Sequence, residues 1–321
     1  MLDEVADWLG RRSWTAADRP LPRLLAAKRA TGSTVSVVLP ALDEEATVGD
    51  IVAVIRRELM EAVPLVDELV VVDSGSTDGT ARVAAAAGAR VVRRDEILPR
   101  LPVEPGKGEV LWRSLLATSG DIVCFVDADL REFSSAFVSG IVGPLLTEPG
   151  VAFVKAMYDR PLETGTVSIP AGGGRVTELV ARPLLNLHWP RLAGFVQPLG
   201  GEYAARRSLL EQLPFATGYG VELGLLVDAL ELAGLDALAQ VDVGVRYHRH
   251  QDAQALGRMA AAIYRTALDR LARADRLKAG DELITPRLTQ FTRSPEGFTP
   301  NTVPVPAIDR PPVVTLPEYR V

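Results

Sequence analysis

The chain has 321 residues, with 35 Lys and Arg against 41 Asp and Glu, a formal charge of −6 at neutral pH. At 47% hydrophobic and 24% charged it has an ordinary globular composition, which excludes a disordered chain; the acidic balance argues against sequence-independent nucleic-acid binding, which needs a basic surface. Its one cysteine, Cys124, excludes an internal disulfide or a Cys-based zinc site and, inside the apolar run 122–126, reads as a small buried hydrophobe.

Residues 1–33 read as a polar-rich helical lead-in. The acidic start Met1-Leu2-Asp3-Glu4 is unlike a signal peptide. No apolar run reaches the roughly 18 residues of a membrane span, so a cytoplasmic location with no membrane partner is expected. Val35–Pro40 is short, β-branched and ended by proline, hence a buried strand. Asp43-Glu44-Glu45 then puts acids at a helix start, where the helix dipole favours them, and Val48, Ile51, Val52 and Ile55 follow at helical spacing. Glu68–Asp73 is a second strand, running into the turn-rich Ser74–Thr80. An alanine-rich helix over about 78–87 stops at Gly88, and Ala89–Val92 is a third strand. Gly106-Lys107-Gly108 opens a helix over about 108–118, and Asp121–Val126 is a fourth strand, ending in Asp127-Ala128-Asp129.

Four strands alternating with three helices predict a parallel α/β sheet. Ligands in such sheets bind at the carboxyl ends of the strands, where Asp43-Glu44, Asp73-Ser74 and Asp127-Asp129 gather. Beyond residue 150 the pattern is less regular. Val151–Lys155 is a strand, Gly172–Glu178 a glycine loop entering a helix, and Gly218–Glu222 the entry to a helix ending near Gly234. Residues 241–247 form a short strand before His248, and a helix covers about 252–274. The last 41 residues hold 8 of the 23 prolines and are expected to wrap the body as extended chain.

Two carboxylates flanking a small residue at a strand end can hold a hard divalent cation, which prefers oxygen ligands and shares them with phosphates. Asp127 and Asp129 are therefore the first candidates for chemistry. Gly174, Arg175 and Thr177 at a helix start suit an anion, through exposed backbone N–H groups and a guanidinium. A dinucleotide fingerprint would need glycine at 177, and a P-loop would need glycine at 101; threonine and leucine stand there.

Val38–Glu45, Val72–Thr80 and Asp127-Ala128-Asp129, in that order and spacing, resemble the nucleotide-sugar half of GT-A glycosyltransferases. Pro105–Glu109, Gly172–Leu184, Gln197–Tyr203, Gly218–Glu222 and Asp309-Arg310-Pro311-Pro312 look closer still to the actinobacterial glucosyl-3-phosphoglycerate synthases. The resemblance implies a GT-A fold: a Rossmann-like, mostly parallel sheet with flanking helices. It implies a catalytic domain over 34–250, with a nucleotide-sugar half at 34–130 and an acceptor half at 131–250. A C-terminal helix and tail, 251–321, would pack on the body or on a partner subunit.

The implied reaction moves glucose from UDP-glucose to the 2-hydroxyl of 3-phosphoglycerate with retention, assisted by Mg²⁺ or Mn²⁺, in a homodimer. Carried over, Pro40, Ala41, Leu42, Glu44, Ser74, Lys107, Asp127 and Ala128 would bind the nucleotide. Asp129 and His248 would hold the metal, and Glu222 the glucose hydroxyls. Leu199 and Tyr219 would lie beside the sugar, and Gly174, Arg175, Thr177 and His250 would meet the acceptor. Three positions depart from the family pattern: Asp43, where asparagine is common; Ala128, where serine is; and His250, where asparagine stands. His188 has no motif around it and reads as structural. The alternatives are a mannosyl-3-phosphoglycerate synthase using GDP-mannose or both donors, and a non-catalytic nucleotide-sugar binding protein.

Overall fold

The computed structural model describes residues 1–164, 167–169, 174–247, 252–276, 285–294 and 297–320. Helix α1 (Asp3–Arg12) has acids in its first turn and arginines in its last, matching the helix dipole, and buries Val5 and Trp8. Strand β1 (Ser13–Thr15) and α2 (Leu21–Thr31) follow, α2 stopping at left-handed Gly32. The alternation read from the sequence then runs as β2 (Val35–Ala41), α3 (Val48–Ile55), β3 (Glu68–Asp73), α4 (Thr80–Ala87), β4 (Arg90–Arg93), α5 (Lys107–Ser114) and β5 (Ile122–Phe125). Only ends shift. The α5 helix stops at Ser114 rather than near 118, because tight turns take over, Leu116 N–H to Arg113 and Ala117 N–H to Ser114.

Next come α6 (Ala136–Thr147), β6 (Phe153–Asp159) and the short pair β7 (Leu162–Thr164) and β8 (Val167–Ile169). Wide helical turns at Thr177–Ala181 run into α7 (Arg182–His188). Strand β9 (Tyr203–Arg206), α8 (Arg207–Leu210), β10 (Phe215–Ala216), α9 (Val221–Ala233), β11 (Leu238–Val245) and α10 (Ala253–Arg273) follow. The chain ends with a hairpin, β12 (Arg287–Ser294) and β13 (Gly297–Pro304), and the short β14 (Asp309–Arg310).

Eight strands form the main sheet in the order β1-β11-β6-β9-β5-β2-β3-β4. All neighbours are parallel except β9, which runs antiparallel to both β5 and β6. The inner strands β2, β3 and β5 are buried on both faces, which is why they read as apolar runs without alternation. Val38, Val70, Val123 and Phe125 face one helical layer, with Leu111 and Leu223. Val37, Leu39, Val71 and Cys124 face the other, with Ile51 and Ile141.

Three elements differ from expectation. The 1–33 segment is helical except for β1, which adds an edge to the sheet beside β11. Strand β11 begins at Leu238, three residues before the expected start, since Leu238, Ala239 and Gln240 pair with Phe153–Lys155. It ends at Val245 after a register shift near Gly244, whose φ is +97°. The described tail is extended in the β12–β13 hairpin and in β14 against β10, and it then turns into short 3-10 helices at Val313–Thr315 and Pro317–Arg320.

Candidate active site

Strands β2 and β3 end in register, Ala41 opposite Asp73, so the loops after them lie side by side. Thr77 N–H donates to Asp43 Oδ1 at 2.7 Å and Gly79 N–H to Glu45 Oε2 at 2.7 Å. Asp43 sits at φ 57°, a left-handed conformation that Asp and Asn tolerate better than most residues. Its carboxylate thus knits the two loops together, which accounts for an acid at this position.

A cavity of about 420 Å³ opens at these strand ends. Pro40, Ala41, Leu42 and Glu44 enter it from the end of β2 and the loop after, Ser74 from the loop after β3, Lys107 from α5, and Asp127, Ala128 and Asp129 from the segment just after β5. Leu199, Tyr219 and Glu222 line it further along, as do Gly174, Arg175 and Thr177. The structure therefore gathers in one cavity every predicted site residue among those described. His248 and His250 lie outside the described residues, as do Gly172 and Gly173.

The centre of the cavity is a charge network. Lys107 Nζ bonds Asp127 Oδ1 and lies 2.9 Å from Glu222 Oε1. Arg246 Nη2 bonds Asp127 Oδ2 at 2.8 Å and Asp129 Oδ1 at 3.2 Å, while its Nε bonds Glu202 at 2.9 Å. Glu202 is fully buried and also accepts from the Tyr158 hydroxyl at 2.7 Å. Burial pushes the Asp127 carboxyl up, but Lys107 and Arg246 outweigh it and hold it well below the usual carboxylate range. Burial raises Asp129, with Asp127 and Glu202 adding to it against the opposing pull of Arg246. Lys155, 1% exposed, donates to Gly200 O and sits 4.7 Å from the Tyr203 ring centre; burial pushes it down to about 8.

Arg246 engages one oxygen of Asp129, and among the described residues nothing bonds the other. Asp129 lines the cavity and offers an oxygen ligand of the kind Mg²⁺ or Mn²⁺ prefers, though the described residues assemble no group of three or more acidic, histidine or cysteine side chains around it. The anion side is built differently. Gly174 has φ +74° and precedes the first helical turn, which presents Arg175 and the buried Thr177 to the cavity. Arg160 joins them there.

Sequence reasoning missed Arg246, Glu202, Tyr158, Lys155, Arg160 and Arg94, the last also on the cavity. Part of the signal was present. Lys155 and Glu202 are charged residues at or beside apolar strands, where a charge persists only with a partner. The partner itself could not be read, because Arg246 and Glu202 are 44 residues apart.

The glycosyl transferase family 2 model matches residues 36–167. The glucosyl-3-phosphoglycerate synthase of Mycolicibacterium paratuberculosis is 52% identical over 315 residues, covering 96% of this chain and 92% of that protein. The Mycobacterium tuberculosis glucosyl-3-phosphoglycerate synthase solved with Mn²⁺, UDP-glucose and phosphoglyceric acid is 50% identical, with a TM-score of 0.78 over 92% of this chain and 94% of that one. The mannosyl-3-phosphoglycerate synthase of Rubrobacter xylanophilus superimposes with a TM-score of 0.89 at 43% identity, covering 96% and 97%.

Proposed function

The chain belongs to the glucosyl-3-phosphoglycerate synthases, and from that premise we propose that it is a metal-dependent retaining glycosyltransferase moving glucose from UDP-glucose to the 2-hydroxyl of 3-phosphoglycerate. The observation that carries this reading is the cavity itself. Nucleotide-side residues (Pro40, Ala41, Leu42, Glu44, Ser74 and Lys107) and the anion-side group (Gly174, Arg175 and Thr177) line one cavity together with Asp127, Asp129 and Glu222, with Lys107 paired to both Asp127 and Glu222.

Asp129, with His248, would hold the cation, which supplies positive charge to offset the departing diphosphate. Lys107 is aimed into the same region and adds a second cation for that charge. Glu222, held by Lys107, is placed to accept from glucose hydroxyls, with Leu199 and Tyr219 as the apolar wall beside the sugar. Arg175 and the N–H groups of the first helical turn orient the acceptor's phosphate or carboxylate.

In the transfer, the bond from the anomeric carbon to the diphosphate oxygen breaks and the bond to the acceptor hydroxyl oxygen forms. The hydroxyl proton leaves with the phosphate oxygen.

The mannosyl reading keeps one observation in its favour, the close superposition on the Rubrobacter xylanophilus enzyme. The greater identity to the glucosyl enzymes favours glucose. Incubation with UDP-glucose and Mn²⁺ tests the proposal. UDP should be released only when 3-phosphoglycerate is present, and the product should retain the donor's anomeric configuration by NMR coupling. UDP release independent of acceptor, or none at all, overturns it. A homodimer in the cytoplasm completes the reading, and light scattering on the purified protein tests the dimer.

A further inference from the structure

The dipeptide Asp309-Arg310 lies far from the cavity in sequence and does not line it, yet it stands directly behind the two side chains that span it. Lys107 is the first residue of α5 and Glu222 the second of α9; they meet at 2.9 Å. Two residues after Lys107, Glu109 points away from the cavity and is fully buried. Arg310 grips it with a two-pronged bond, Nε to Oε2 at 2.6 Å and Nη2 to Oε1 at 2.8 Å, while buried Arg113, one turn along the same helix, donates Nε to Oε1 at 2.6 Å, leaving Arg310 as the hold from outside α5. Trp112, on the next turn, donates its indole N–H to Pro311 O at 2.8 Å.

The same stretch of tail also holds the approach to Glu222. Thr217 N–H donates to Ile308 O at 2.9 Å, and Glu109 N–H donates to Thr217 O at 3.1 Å. Phe215 and Ala216 pair with Arg310 and Asp309. Space is so tight here that a Cβ on Gly108 would lie 1.8 Å from Ala216 O. Asp309 accepts from Arg270 at 2.6 Å, and Arg270 bonds Asp228 on α9 at 2.9 Å. The start of α5, the segment leading into α9 and the middle of α9 are thus fastened to 308–310, the last through Arg270.

We infer that Arg310 is a positioning residue for donor binding: through Glu109 it fixes the rotation of the first turn of α5, and so the aim of Lys107 at Glu222, Asp127 and the donor diphosphate. A bidentate guanidinium–carboxylate pair fixes orientation as well as distance, which a lysine cannot do. The inference rests on the donor site proposed above.

The test compares Arg310→Lys and Arg310→Gln with wild type in the full-length protein, per active site and with thermal midpoints recorded. Arg310→Gln should raise the KM for UDP-glucose about tenfold and weaken UDP binding in calorimetry in parallel. The KM for 3-phosphoglycerate should stay within about twofold, and Arg310→Lys should fall between. In a Lys107→Ala background Arg310→Gln should add nothing to the donor KM, since both changes act on one group. A lowered melting temperature with unchanged donor KM and UDP affinity, or full additivity with Lys107→Ala, overturns the inference and leaves Arg310 purely structural. A wild type that binds GDP instead of UDP overturns the donor assignment alone, and the same comparison is then read with GDP.

Discussion

Asp127 is held by two cations at once, and the surrounding atoms leave no slack. A Cβ added to Gly201 would lie 2.2 Å from Asp127 Oδ2 and 2.4 Å from Lys107 Nζ. These are side-chain ends that can move, so Gly201→Ala should fold while pushing the Lys107–Asp127 pair apart. We expect kcat/KM to fall by at least about tenfold with a melting temperature near wild type, measured by steady-state kinetics and calorimetry. Glu202 is a different case, a buried anchor for Arg246 and Tyr158. Glu202→Gln removes one of the three carboxylates that meet buried Arg246, which keeps Asp127 and Asp129, so it should cost less than the roughly 3 kcal/mol of an unpaired buried charge, to be read from urea unfolding. Lys155 gives a pH signature. Its folded value, about 8, lies below its ordinary 10.5, so between these values the unfolded chain holds a proton that the folded chain has lost. Wild-type stability therefore rises with pH across that window relative to Lys155→Met, by roughly 3 kcal/mol in total. Denaturant midpoints at pH 7 and pH 10 measure most of it. Of these residues only Asp127 was legible in the sequence as chemistry, because a strand-end acid beside a second acid is a local pattern. Glu202 and Arg246 are defined by each other across the fold, and no local pattern carries that.

At the scale of elements, α5 is where packing and chemistry meet. Gly108 faces the backbone of β10, and the oxygen a Cβ would strike is Ala216 O, held in place by the β10–β14 pair. Backbone cannot yield as a side chain does, so Gly108→Ala should cost about 1–3 kcal/mol or more through overpacking, seen as a lowered thermal midpoint. The contrast with Gly201→Ala separates a glycine needed for packing from one needed for the site. The helices and strands of 35–126 were legible because each has its own period and stop signal: Pro40 near the end of β2, Gly88 after α4, the β-branched run of β3. Strand β9 was not, because Tyr203-Ala204-Ala205-Arg206 has little strand preference of its own. Its conformation is imposed by pairing on both sides, with β5 and β6, the usual way context overrides β propensity. The start of β11 was missed for the same reason.

For the whole molecule, the parallel sheet and the ordering of its loops put the cavity at the strand ends, where the alternation of elements leads one to look for a site. What the order of elements leaves open is how the chain beyond residue 150 closes back on the first half. That closure is made by β9 slotting beside β5, and by the C-terminal segment crossing to α5 and β10. No helix among the described residues is long and apolar enough to cross a membrane. Related structures hold Mn²⁺ or Mg²⁺ together with UDP, so dialysis against a chelator should abolish turnover, with recovery on adding Mn²⁺ or Mg²⁺; activity that survives chelation would contradict a metal-dependent transfer.

The central claim is the identity of donor and acceptor. The most direct measurement offers the protein Mg²⁺, 3-phosphoglycerate and an equimolar mixture of UDP-glucose and GDP-mannose, and identifies product and released nucleotide by mass spectrometry, with Asp129→Ala as control. The expected result is glucosyl-3-phosphoglycerate with UDP as the released nucleotide, and no product from the variant. GDP release with a mannosyl product, or no product from either donor, would contradict it.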